Sequence, residues 1–259
     1  MKTIDLNCDM GESFGAYTLG MDEKVMQYIS SANIACGFHA GDPVVMDRTV
    51  KMAVKNKVGI GAHPGYPDLM GFGRRSMALS AEEIRQYLIF QVGALMAFCK
   101  VHGTTLTHVK PHGALYLDAV EDKSIAKAIA KGILSLDPGL YFVALAGKKG
   151  ETMRQVGEKL GLKVIYEAFP DRAYTKEGTL VSRKEPGAVI SDPLLVAKRA
   201  LDMANGFVTA VDGTTIKLEA QTLCVHGDNR SSVDLVKTIK ATLKASNILV
   251  TPMGENKKL

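Results

Sequence analysis

The chain has 259 residues, of which 46% are hydrophobic and 23% charged, with a formal net charge of +5 and no Trp. These proportions fit a soluble globular protein and exclude a low-complexity or disordered chain. The cationic residues are spread rather than clustered, which gives no support for nucleic-acid binding. No apolar run approaches the roughly 20 residues needed to cross a bilayer.

The opening residues, Met1 to Asn7, interrupt any apolar core with charged and polar side chains. No signal peptide is expected there, and the cytosol is the expected location. The first strand is expected at Thr3–Leu6, followed by the Gly-bearing loop Cys8–Gly15. A second strand follows at Asn33–Ala35, then a helix opening with Asp42 as cap and Pro43 in its first turn. The third strand is Val58–Ala62. The clearest helix begins at Ser80, with Glu83 completing a capping box and Ile84, Leu88, Val92, Leu95 and Cys99 on one face. Further strands are expected at Leu106–Val109, Tyr141–Leu145 and Lys163–Tyr166, and a helix capped by Asp192 before Pro193. Phe207–Leu218 reads as a β-hairpin turning at Asp212-Gly213, inserted before the last strand, Thr222–Val225. A final helix is expected from about Ser231 to Leu243.

Strand–helix alternation implies a parallel sheet with helices outside it. Seven such units in one α/β chain point to a closed or nearly closed β/α barrel, a single domain over residues 1–259. A doubly wound open sheet fits the same periodicity.

In a barrel, functional groups gather just past the C-terminal strand ends. Asn7, Asp9 and Glu12 follow the first strand, His39 and Asp42 the second, His63 the third, and Lys110 and His112 the fourth. Glu167, Asp171 and Arg172 follow the sixth, and His226 and Asp228 the seventh. Only the fifth end, Ala146-Gly147-Lys148, is weak. Four of the six histidines thus fall past strands, each with a glycine within two residues downstream (Gly41, Gly65, Gly113, Gly227). Glycine there admits a tight turn or a close approach.

Several residues have plainer readings. Asp42 is expected to cap a helix; Asp228 is read equally as a cap or a functional group. Asp5, inside a strand, suits a buried structural carboxylate, and His108 a satisfied core histidine. His102 suits a helix C-terminus. Glu167 suits a partner for Arg172 or another cation. Arg74 and Arg75, after Gly71-Phe72-Gly73, suit an anionic ligand or a solvated loop, and Asp68 suits a turn. Cys8, Cys36, Cys99 and Cys224 contain no C-x-x-C pair and are expected as buried thiols. There is no P-loop, no G-x-G-x-x-G after the first strand, no G-x-S-x-G and no H-E-x-x-H. A metal site drawn from Asp9, His39, His63 and His226 on separate strands stays open.

Six blocks carry a family resemblance: Asp5-Leu6-Asn7-Cys8-Asp9-Met10-Gly11-Glu12; Ala32 to Pro43; Gly61 to Asp68 with Gly71-Phe72-Gly73-Arg74-Arg75; Lys110 to Tyr116; Glu167-Ala168-Phe169 with Asp171-Arg172-Ala173-Tyr174; and Val225-His226-Gly227-Asp228. Together they resemble the LamB/YcsF family nearly end to end. Departures at Leu117, Pro170, Glu177 and Ser182 concern loop shape and remove no strand-end His, Asp or Arg.

The resemblance implies a β/α barrel similar to the glycoside hydrolase/deacetylase superfamily. It implies work as one component of an ATP-dependent 5-oxoprolinase, which opens 5-oxoproline to glutamate, beside partner subunits B and C and with ATP and Mg²⁺. Such chemistry needs cations around phosphoryl oxygens, a carboxylate-held Mg²⁺ and a base for water. The expected catalytic groups are Asp9, Glu12, His39, His63, His112 and His226. Asn7, Lys110, Arg172, Arg74 and Asp228 are expected to bind substrate or phosphate, and Asp9, His39 and His63 are the metal candidates. Two rival readings share these residues: a stand-alone metal-dependent hydrolase resembling deacetylases, and a non-catalytic module that delivers substrate to partner subunits.

Overall fold

The computed structural model describes residues 1–225 and 232–254. Strands β1 (Lys2–Met10), β2 (Ser31–Ala35), β3 (Gly59–His63), β4 (His108–Val109), β5 (Tyr141–Leu145) and β6 (Lys163–Ala168) pair in order, all parallel. Strand β9 (Thr222–Val225) pairs with both β6 and β1, which closes a seven-stranded barrel and excludes the open sheet. The expected hairpin is present: β7 (Phe207–Thr209) pairs antiparallel with β8 (Thr215–Lys217) in a separate two-stranded sheet. One further strand carries no sequence signal. β10 (Ile248–Val250) pairs in parallel with Lys2–Ile4 at the start of β1, and three residues are too short to carry a period.

Around the barrel lie α1 (Asp22–Val25), α2 (Pro43–Asn56), α3 (Ala81–Val101), α4 (Gly113–Glu121), α5 (Lys123–Leu136), α6 (Glu151–Lys159), α7 (Pro193–Ala204) and α8 (Ser232–Ala245). The sequence signals for their starts hold. Asp42 accepts from the Val44 and Val45 amides, Asp192 from those of Leu194 and Leu195, and Ser80 forms the capping box with Glu83. Each satisfies backbone donors that no helical carbonyl can reach. No helix among the described residues is long and apolar enough to cross a membrane.

The alternation of β1 decides what lies inside the barrel. Ile4, Leu6, Cys8 and Met10 are buried in the apolar core, while Asp5, Asn7 and Asp9, on the opposite face, bond across the lumen. The lumen is therefore polar rather than filled by aliphatic layers. At its base Asp5 accepts from the hydroxyls of Ser30, Ser31 and Thr222. Burial nevertheless outweighs these bonds and raises its pKa to about 6. One rung up, Asn7 donates to Glu167 and Thr222 and accepts from Asn33, which also donates to Asp9. His108 reaches Asn33 Oδ1 at 2.7 Å and Thr107 Oγ1 at 2.8 Å, as a satisfied core histidine should. All four cysteines are free and buried, and burial pushes their thiols upward, Cys36 to about 12.

Candidate functional site

Above this polar ladder, at the C-terminal strand ends, opens a cavity of about 640 Å³. Asp9, Glu12, His63, Arg74, Lys110, His112 and Arg172 all line it, so seven of the expected site residues converge from several strand ends. Asp9 belongs to β1 itself rather than to the following loop, because its partners Asn33 and Lys110 stand at the same level inside the barrel. The loop carrying Glu12 is pinned on both sides: the Gly11 amide donates to Asp22 and the Gly15 amide to Asp42. Asp42 thus caps α2, as expected, and also holds the Glu12 loop.

Lys110 is buried at the cavity floor. Its ammonium lies 2.9 Å from Asp9 Oδ1, 3.0 Å from Glu167 Oε1 and 3.0 Å from Cys224 Sγ. Burial works against this charge, but Asp9, the Cys224 sulfur and Glu167 together outweigh it and hold the pKa well above the usual lysine value. All three donors of Lys110 are engaged by these groups, so it orders the two carboxylates at the cavity floor. Glu167 accordingly pairs with Lys110, not Arg172, and also accepts from Tyr116 at 3.2 Å. Asn7, expected to bind substrate, is not among the residues lining the cavity, and its amide is committed to Glu167, Thr222 and Asn33.

Three histidines pack in one corner. His39 stacks on His112 with centroids 3.7 Å apart and an interplanar angle of 3°, while His63 meets both edge-on. His63 Nδ1 donates to the Lys110 carbonyl at 2.7 Å and His112 Nε2 to the Phe72 carbonyl at 2.8 Å. His63 Nε2 lies 3.3 Å from Asp9 Oδ2, and His39 Nε2 3.6 Å from Glu12 Oε1. Burial first, then the neighbouring imidazole of His63, lowers the His112 pKa to about 3; burial lowers His39 as well. His39 sits behind the cavity wall. Glycine makes this packing possible: a Cβ on Gly65 would stand 2.8 Å from His39 Nδ1, and one on Gly73 would stand 2.7 Å from His39 Cβ and 2.8 Å from His112 Cδ2.

The outer rim comes from the segment between β6 and α7. Arg172 donates to the Ala188 and Val181 carbonyls through Nε and Nη2. Arg199, on α7, holds the same segment by donating to the carbonyls of Pro170, Arg172 and Thr209, and Tyr174 accepts from the Phe169 amide. Arg183 and Lys184 reach the cavity from this segment. Sequence reasoning missed them, although a basic pair in a stretch without periodicity was a usable signal. Arg74 lines the cavity beside Phe72, whereas Arg75 pairs with Asp68 and faces solvent. Asp68 is the turn residue expected, accepting from the Gly71 amide. His102 ends α3 and meets Asp47 at 2.7 Å. His226 and Asp228 lie outside the described residues.

Comparison with known proteins shows the family and the fold. The family model described as the LamB/YcsF family matches residues 4–258. A protein of Natranaerobius thermophilus, named as the A subunit of 5-oxoprolinase, is 55% identical over 255 residues, covering 98% of each chain. The crystal structure of a lactam utilization protein from Thermus thermophilus superposes with a TM-score of 0.92 at 44% identity, covering 97% of this chain and all of the other. At fold level alone, the catalytic domain of a peptidoglycan N-acetylglucosamine deacetylase from Eubacterium rectale superposes with a TM-score of 0.50 at 13% identity, covering the whole of this chain and 91% of the other. The chain, a closed parallel β/α barrel of deacetylase-like fold, belongs to the LamB/YcsF family.

Proposed function

We propose that this chain is the A component of an ATP-dependent 5-oxoprolinase and that the barrel mouth is where the lactam ring of 5-oxoproline is opened to glutamate. The observation that carries the reading is the polarity of the cavity. Carboxylates and imidazoles lie at its floor, and Arg74, Arg172, Arg183 and Lys184 line its outer wall. A small anionic cyclic amide matches that order, with its carboxylate toward the guanidinium groups and its carbonyl carbon toward Asp9.

A five-membered lactam resists water because its carbonyl is a resonance-stabilised amide. ATP with Mg²⁺ would supply a phosphoryl group to the amide oxygen, with ADP leaving, and so make the carbon electrophilic. The cationic wall fits phosphoryl oxygens as well as it fits a substrate carboxylate. Asp9, held by Lys110 and Asn33, is placed to take a proton from the attacking water. The C–N bond then breaks, the ring nitrogen takes a proton, and a second water releases phosphate from the resulting acyl phosphate. The imidazole corner, with Glu12, faces the developing charge. Partner subunits B and C complete the enzyme in this reading.

The test is glutamate formation from 5-oxoproline and MgATP by this chain alone, by the two partner subunits alone, and by all three. Turnover only with all three is the expected result, and Asp9→Asn in that assembly should lower the rate about 10²–10⁴-fold. Turnover by the partners without this chain, or by none of the combinations, overturns the proposal.

A further inference from the structure

Two imidazole edges meet in the barrel mouth in a way that side chains alone do not complete. A carbonyl oxygen only accepts hydrogen bonds, so His63 Nδ1 and His112 Nε2, bonded to the Lys110 and Phe72 carbonyls, both carry hydrogen. The other nitrogen of each neutral ring then presents a lone pair. Those nitrogens, His63 Nε2 and His112 Nδ1, face each other at 2.9 Å. Facing lone pairs repel unless an electrophile, either a proton or a metal cation, lies with them. Beside them stands His39, fully buried, with neither ring nitrogen hydrogen-bonded. Glu12 Oε1 lies 3.6 Å from His39 Nε2 and 4.0 Å from His112 Nδ1.

We infer that Glu12, His39, His63 and His112 form a binding site for a divalent first-row transition-metal ion of the zinc class. One ligand atom from each lies within 4.8 Å of the others. Atoms held about 2.0–2.1 Å from a common ion stand roughly 2.9–4.2 Å apart, and the separations of 2.9, 3.6 and 4.0 Å fall in that window. Three imidazoles and a carboxylate suit zinc, cobalt or nickel better than magnesium or calcium, which prefer oxygen donors alone. The outer hydrogen bonds fit too, because metal-bound histidines characteristically donate their second N–H to a backbone carbonyl or carboxylate. A shared proton would account for His63 and His112 but not for the bare nitrogens of His39 or the approach of Glu12. Three of the four residues line the cavity, so the ion is accessible from it.

This inference rests on side-chain geometry and is independent of the lactam reading, which the three-subunit assay decides separately. The test uses the full-length chain after treatment with a chelator. Titration with Co²⁺ should show one equivalent bound per chain, with visible d–d absorption that Zn²⁺ displaces, and Zn²⁺ should raise the melting temperature. His63→Ala and Glu12→Gln should each weaken binding by at least about 10-fold, since even outer partners of a metal contribute 10–100-fold. Glu12, at the cavity edge, keeps the test valid if the histidine variant fails to fold. Absence of stoichiometric binding, or equal binding by the folded variants, overturns the site and leaves a proton between His63 and His112.

Discussion

Gly61 and His108 are register partners on β3 and β4, and the His108 imidazole occupies the space where a side chain on Gly61 would lie. Through that gap His108 reaches Asn33, one strand further, and Asn33 in turn holds Asp9. The glycine therefore belongs to the support of the site. Gly61→Ala would force the imidazole from a closely packed lumen. It should lower stability by about 3 kcal/mol, the upper range for overpacking, as read by denaturant unfolding. A loss within about 0.5 kcal/mol, the range of neutral surface changes, would show that the lumen can rearrange.

Removing Lys110 leaves two carboxylates buried without their shared cation. Lys110→Met should destabilise the fold by about 3–5 kcal/mol, as for other broken buried pairs. Adding Glu167→Gln should recover part of that loss, with a coupling of about 0.5–3 kcal/mol. Additive effects in this double-mutant cycle would contradict the bridging role of Lys110.

Asp5 supplies a pH dependence of defined sign. Burial raises its pKa to about 6 from the usual 3.8, so between those values the folded chain keeps a proton that the unfolded chain has lost. Its contribution to stability is full below about pH 4 and is lost as pH rises through about 6. The stability of the wild type relative to Asp5→Asn should fall by something on the order of 3 kcal/mol from pH 4 to pH 7. A flat or rising difference would mean that the hydroxyls of Ser30, Ser31 and Thr222 outweigh burial.

Arg199 touches no part of the cavity but donates to the backbone on which Arg172 sits. Arg199→Met should raise the KM for an anionic substrate more than it lowers kcat, by about 10-fold if roughly 1.4 kcal/mol of uniform binding is lost. A fall in kcat with KM unchanged would place Arg199 in the chemistry instead of in positioning.

The local sequence determined most of the elements and much of the site. Ser80 with Glu83, Asp42 with Pro43, and Asp192 with Pro193 marked helix starts because capping is satisfied within a few residues. Asp212-Gly213 marked the hairpin for the same local reason. The strand-end histidines were legible because a barrel gathers one end of every strand, whatever the loops between them. Tertiary structure alone decided the rest. Whether Asp5, Asn7 and Asp9 face solvent or lumen depends on barrel closure, which is settled where β9 meets β1. Lys110 bridges two carboxylates because Asp9, Glu167 and Cys224 arrive from three other strands. The facing nitrogens of His63 and His112 depend on two carbonyls distant in the chain from one ring or the other. Periodicity reports which face of a strand or helix is apolar; it carries no information about which polar groups meet across a closed barrel.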